Sequence, residues 1–538
     1  MQILSSFKKI EKLVQILLIG VVLIIIPNIF LNFEIAKIVF ARSIILILFL
    51  IIGLNLIRKK IIYIPSILKD KNIVKCIILL FLSLIISILS SVAPQLSFFG
   101  SYFRMQGVYS FLHYILLFIL LLFSFQKDLQ WKKINKIIVF IFVFLIILSI
   151  LQFLGVDFLN YREFQNHGNR ISASFSNPNF FGGLIVLLFF PVFNLIKNSL
   201  CKILIILSSL FVLILTGSKG ALLAFIIGLF LYSFLNIVYL NEKKYLSYFA
   251  LIITILLFVL FYASKFDFLY RFQISEENLV STNTRIQIWE DSLQMIDDSP
   301  FIGYGIETFP IVFHKYANLE ELKRDNLFGL IDKPHNIILD ILYSVGFLGL
   351  LVYLFIINTI LKKCFEALKK VNKDKKQEIL AIISGLSALF FSNLFSFSVT
   401  VHFIFISFYL AHLFYLISLK TSKIKISLKK RTREILEIIL IFFVTANLII
   451  YNIFYVFSDY YLKKGLDSFN NQTETNTILE NFQLANFYNQ KQSYINYLLT
   501  SLYLAVEDYD LAKYYLQNAA DFESNKGDFY NFLRQKLY

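Results

Sequence analysis

Thirteen times between residues 13 and 456 the sequence runs through about 20 mostly apolar residues before polar ones return. The runs are 13–33, 36–57, 74–93, 107–125, 134–154, 180–196, 200–216, 218–240, 245–263, 336–360, 378–397, 400–418 and 435–456. A helix of that length crosses the hydrocarbon core of a bilayer, and a helix is one of the two backbone forms that satisfy their own polar groups there. Composition agrees: 58% of residues are hydrophobic and 16% charged, against about 25% charged in soluble domains. The expected fold is therefore all-α, a polytopic membrane protein of about 12–13 transmembrane helices. The first run is longer than a signal-peptide core and lacks a small-residue cleavage site, so it is expected to stay as an anchor.

The basic residues orient the bundle. With the N-terminus in the cytoplasm, the loops on that side carry 31 of the 51 Lys and Arg, as the positive-inside rule requires. The net charge of +16 is then mostly topological. The basic clusters flank spans rather than line one face, so a nucleic-acid partner is not expected. Cys76, Cys201 and Cys364 are far apart and lack metal-ligand spacing, so neither a disulfide nor a metal site is expected.

Four regions follow: an N-terminal transmembrane bundle (1–263), a large external loop (264–334), C-terminal transmembrane helices (335–456) and an external helical-hairpin tail (457–538). Within the loop, Ile286, Trp289, Leu293 and Ile296 recur at helical spacing. Asn283 reads as the cap of that helix, with Arg285 in its first turn. Ser299-Pro300 ends it, and Gly303 and Gly305 mark a turn. In the tail, LYLAVEDYDLAKYYLQNAADFE resembles a tetratricopeptide unit.

Several cations fall on the outer side. Arg104 lies between spans three and four, Arg170 before span six, Lys219 in a tight joint between two spans, and Arg285 in the loop helix. Singly, each reads as a snorkelling side chain; together they propose an anion site, because guanidinium forks suit phosphate oxygens. His335 stands beside Asn336, just after Pro334, a residue suited to a first helical turn. An imidazole at a water-reachable rim accepts a proton at neutral pH, as a general base must. Asp340 lies five residues further on, off the favoured spacing for orienting that ring.

At these residues the chain resembles the O-antigen ligase superfamily. The matching stretches are FFGSYFRMQGVYS, RISASFSNPNFFGG, LTGSKGALLAF, TRIQIWEDSLQMIDDSPFIGYGIETF and KPHNIILDILYSVGFLGLL. They stand in order over about residues 96–352. Lys219 occupies a place where many relatives have arginine. The resemblance implies a multi-pass protein of the bacterial cytoplasmic (inner) membrane. It implies a glycan donor carried on undecaprenyl pyrophosphate, and transfer on the outer face to an acceptor hydroxyl without metal or other cofactor. Arg170 and Arg285 would hold the pyrophosphate, Arg104 would be a further contact, and His335 would take the acceptor proton. Lys219 is an additional candidate. The partners implied are the lipid-linked donor, membrane lipid, and a glycan, lipid or protein acceptor. A polymerase joining repeat units fits the same motifs; the tail favours a distinct acceptor. A transporter is the alternative from another class, but its paired halves and mid-membrane charges are not evident.

Overall fold

The computed structural model describes residues 2–24, 33–58, 61–102, 104–156, 170–261, 276–313, 315–316, 331–418, 421–425, 428–490 and 493–522. Every expected span overlaps a helix among the described residues: α1 (Gln2–Leu23), α2 (Phe33–Arg58), α3 (Lys71–Leu89), α5 (Val108–Ser124), α6 (Asp128–Phe153), α7 (Pro178–Leu195), α8 (Ser199–Thr216), α9 (Lys219–Leu240), α10 (Lys244–Phe261), α13 (Ile337–Leu368), α14 (Lys373–Ser392), α15 (Thr400–Ile417) and α16 (Lys430–Leu448). Among the described residues, nine helices are long and apolar enough to cross a membrane. The protein is an all-α, multi-pass membrane protein. Short helices α4 (Pro94–Phe99), α11 (Glu276–Asp298) and α12 (Phe309–Phe313) lie between the spans. One antiparallel ribbon, β1 (Ile61–Pro65) against β2 (Thr421–Lys425), closes the end of the bundle away from the site, with Ile61 opposite Lys425.

Polar caps start many of these helices. The side chains of Asp70, Asn177, Asn198, Asn336 and Asn372 accept backbone N–H groups of the first turns of α3, α7, α8, α13 and α14, which satisfies donors that lipid could not. The core runs through α7, whose side chains are buried from Phe180 to Phe193. Gly385 of α14 permits close approach: a Cβ there would stand 2.5 Å from the Leu187 carbonyl oxygen, the small-residue contact by which membrane helices pack. Leftover apolar side chains point outward, such as Ile438 and Phe442 of α16, as lipid contact requires.

Two cations, Lys37 and Arg42, lie inside α2 and are buried. Lys37 Nζ donates to the carbonyls of Val21 and Val22 (3.2 and 3.0 Å), capping α1. Arg42 donates to the Met105 carbonyl (3.1 Å) and to Ser110, and so holds the loop that bears Arg104.

The external loop departs from the sequence reading in three ways. Asn283 is not a cap: α11 begins at Glu276, which leaves Arg285 well inside the helix rather than in its first turn. The residues before Asn283 are compatible with helix and simply extend it. The face is also rotated. Ile288, Ser292, Met295 and Ile296 are buried, while Ile286 and Leu293 are exposed, because α11 packs on α12 and α13 through Phe309, Phe313, Leu339 and Tyr343. Finally, α13 starts at Ile337 on Asn336, so Pro334 precedes the cap instead of opening the helix. The parts of the loop at 262–275 and 317–330 lie outside the described residues.

The last span does not stop at the tail. α16 passes through a π turn (Ile449–Ile453) into α17 (Phe454–Asn470). Helices α18 (Thr475–Tyr488), α19 (Ser493–Ala505) and α20 (Tyr509–Phe522) follow. The four tail helices pair as two hairpins over their own core of Leu462, Phe482, Leu499 and Leu516. Tyr102 packs against that core, hydrogen-bonds Asp459 and stacks on Tyr494 at 6.2 Å, two residues from Arg104.

Candidate active site

The segment carrying His335 is fixed from both sides. On one side the Trp289 indole of α11 donates to the Pro334 carbonyl at 2.9 Å. On the other, the Ile337 N–H donates to the Asn393 carbonyl at 2.9 Å, while Asn336 accepts from Ile338 and Leu339. Between these anchors His335 takes a left-handed backbone, φ +52°. Such a conformation costs a residue other than glycine about 1–3 kcal/mol and persists where the surroundings impose it. The ring stands half-buried over Phe397 at 5.2 Å between centroids.

Phe397, in the turn between α14 and α15, is the floor of the site. The Arg104 guanidinium lies 5.0 Å from its centroid and the Lys333 ammonium 6.0 Å. Arg104 and His335 are thus within about 10 Å of each other across one ring. Arg104 also faces Phe180 at 5.4 Å, and Phe180 packs on Phe397 at 4.9 Å. Each cation–π contact contributes about 0.5–2 kcal/mol and holds a guanidinium without neutralising it. His402 secures the floor: its Nδ1 accepts from Val399 N at 3.1 Å, and its Nε2 meets the Phe180 carbonyl at 2.8 Å.

Arg170 Nε donates to the Thr216 carbonyl and its terminal nitrogen to Asn179 Oδ1, each at 2.8 Å. It therefore ties the end of α8 to the start of α7, one residue from Phe180. Lys219 opens α9 just beyond Thr216 and is exposed; its neighbour Gly220 sits against Phe395, where a Cβ would be 2.8 Å away. Phe395 in turn packs near Trp289. Arg285, one turn before Trp289 on α11, acts electrostatically on His335. All five sequence candidates accordingly lie at one end of the bundle, with Arg104, Arg285 and His335 the most closely connected.

Asp340 does not orient the imidazole. It accepts from Lys333 at 3.4 Å, and Lys333 also pairs with Glu307 at 3.3 Å. Burial opposes the Lys333 charge, but Asp340, Tyr343, Glu307 and Asp332 outweigh it and hold its pKa well above the usual lysine range. Glu307 reaches back to the Arg104 loop, accepting from Ser101 N (3.1 Å) and Ser101 Oγ (2.6 Å). Asp332 pairs with Arg104. Sequence reasoning did not single out Lys333, Glu307, Asp332 or Phe397. Only the closeness of Asp332 and Lys333 to His335 in the chain was there to be read.

The imidazole is electrostatically poised. Burial pushes the His335 pKa down to about 4; Asp332 favours its charge, and Arg285, Arg104 and Lys333 oppose it. At neutral pH it is uncharged with a lone pair available, and its Nδ1 is buried without a hydrogen-bond partner. Cations arranged around a neutral imidazole can hold an anionic leaving group beside a proton acceptor.

Comparison with known proteins fits this arrangement. An uncharacterized protein of Haemophilus influenzae is 25% identical over 223 residues, covering 39% of this chain and 54% of that protein. The chain thus spans about half the length of that relative. The O-antigen ligase family model matches residues 203–354, a stretch that contains Lys219, Arg285, Asp332, Lys333 and His335. Over that stretch the chain is similar to the O-antigen ligase family.

Proposed function

We propose that the protein is a membrane glycosyltransferase of the O-antigen ligase type. It takes a glycan from an undecaprenyl-pyrophosphate carrier and transfers it to an acceptor hydroxyl on the outer face of the cytoplasmic membrane. The observation that carries this reading is the shared Phe397 ring, which sets a neutral His335 beside the Arg104 guanidinium. His335 takes the proton of the acceptor hydroxyl as its oxygen attacks the anomeric carbon. The bond from that carbon to the phosphate oxygen breaks, and its electron pair leaves on the diphosphate. Arg104, Arg170 and Arg285 hold that charge; fixed cations aimed at a developing anion lower the barrier most where water is excluded.

The carrier lipid enters sideways from the bilayer, and the acceptor comes from the aqueous side. The tail favours a separate acceptor over a growing repeat-unit chain, because it is a distinct hairpin unit joined through Tyr102 to the loop of Arg104. Purified protein in liposomes with a labelled lipid-diphosphate-linked glycan tests this. One transfer onto a separate molecule is expected. A ladder growing on the carrier lipid would make the protein a polymerase, and label retained on the donor under all conditions would remove the transferase reading.

A further inference from the structure

Asp332 lies between the two groups on which the reaction depends. Its carboxylate accepts from Arg104 Nε in a part-buried pair, and it precedes His335 by three residues. Arg104 and His335 share the Phe397 ring. The nearby carboxylates of Glu307 and Asp340 are engaged by the buried Lys333. On the His335 ring, Nδ1 is buried without a hydrogen-bond partner. A base with that nitrogen unsupported has neither its tautomer fixed nor its cation stabilised, and catalytic histidines generally receive both from an acceptor at the far nitrogen.

We propose that Asp332 is a positioning residue that changes partners during turnover, from Arg104 in the free protein to the Nδ1–H of His335 when donor diphosphate engages Arg104. The proposal rests on His335 being the base. A diphosphate presents the oxygens that a guanidinium fork prefers and carries more negative charge than one carboxylate, so it displaces Asp332 from Arg104 once donor arrives. Asp332 then fixes the proton on Nδ1 and leaves Nε2 to accept the acceptor proton. It also stabilises the imidazolium that forms. The charged groups acting on this imidazole are Asp332, Arg285, Arg104 and Lys333, and of these Asp332 alone is negative.

The test uses full-length protein in liposomes with a lipid-diphosphate-linked glycan, following kcat, donor KM and their pH profiles. In the wild type, the acid limb of kcat should break at higher pH than that of kcat/KM. Asp332→Asn should lower kcat about ten- to a hundredfold, leave donor KM unchanged or lower because Arg104 loses a competitor, and narrow the gap between the two limbs. Asp332→Glu should restore most of the gap. Equal losses in the Asn and Glu variants, with the limbs unmoved, would reduce Asp332 to a scaffold residue and overturn the proposal. If Asp332→Asn does not accumulate, Arg104→Gln serves instead. Freeing Asp332 should raise the kcat/KM limb toward that of kcat, and an unmoved limb overturns the proposal. His335→Ala is run in parallel: an active His335→Ala protein removes the base, and this inference with it, whereas an inactive one with unshifted Asp332→Asn limbs removes the exchange alone.

Discussion

His335 is held in a backbone conformation that suits glycine better than any L-residue. This separates its chemical role from its structural one. His335→Gly and His335→Ala should both lose glycan transfer, yet the glycine variant should be more stable by about 1 kcal/mol, the order of the left-handed penalty for a residue with a Cβ; thermal melting in detergent measures the difference. Acid should expose the same residue. Because its pKa in the folded protein is about 4, against about 6.5 unfolded, the stability that comes from keeping it neutral is complete above pH 6.5. It is lost as pH falls toward 4. The wild type should therefore lose more stability between pH 6.5 and 4 than His335→Gly does. The histidine and the arginines were visible in the sequence because charge is rare in so apolar a chain. Phe397, Glu307 and Asp332 were not, since each gains its meaning from a partner more than 200 residues away in the chain: Arg104 for Phe397 and Asp332, and Ser101 for Glu307.

At the scale of elements, α13 does more than cross the membrane. Its backbone breaks at Gly346, φ +66° and ψ −170°, and the turn after α11 docks into the break. Tyr304 N donates to the Tyr343 carbonyl (2.7 Å), Gly305 N to Ser344 (3.0 Å) and Phe347 N to Pro300 (2.7 Å). The backbone freed by the break is thus satisfied by protein, as membrane depth demands. A Cβ at Gly346 would stand 2.2 Å from the Phe301 carbonyl carbon and oxygen. Gly346→Ala should therefore lower the melting temperature sharply and expel this turn, which limited proteolysis at residues 299–305 would report. The helices themselves were legible from apolar run length. The kink was not, because Gly346 reads as one small residue in an ordinary apolar run. The start of α11 was misread because a polar residue inside a helix looks like a cap when nothing shows what precedes it.

The whole molecule places its candidate site at one end, where α7, α9 and α13 begin. Cys201, exposed at the start of α8, belongs to the end opposite Thr216 and Arg170. In intact cells a membrane-impermeant maleimide should leave Cys201 unlabelled, while a cysteine placed at Lys219 in a Cys201→Ser background is labelled. The opposite pattern would invert the protein in the membrane. The tail packs on this end through Tyr102, so the tail and the loop of Arg104 form one structure. The most direct test of the account is steady-state transfer from a lipid-diphosphate-linked glycan by His335→Ala and Arg285→Ala side by side. His335→Ala should lose kcat by a thousandfold or more, roughly the upper range for a general base, while still binding donor. Arg285→Ala should raise donor KM at least tenfold, as expected for about 1.5–3 kcal/mol of lost charged hydrogen bonding. Near wild-type turnover by His335→Ala would contradict the assignment of that imidazole as the base.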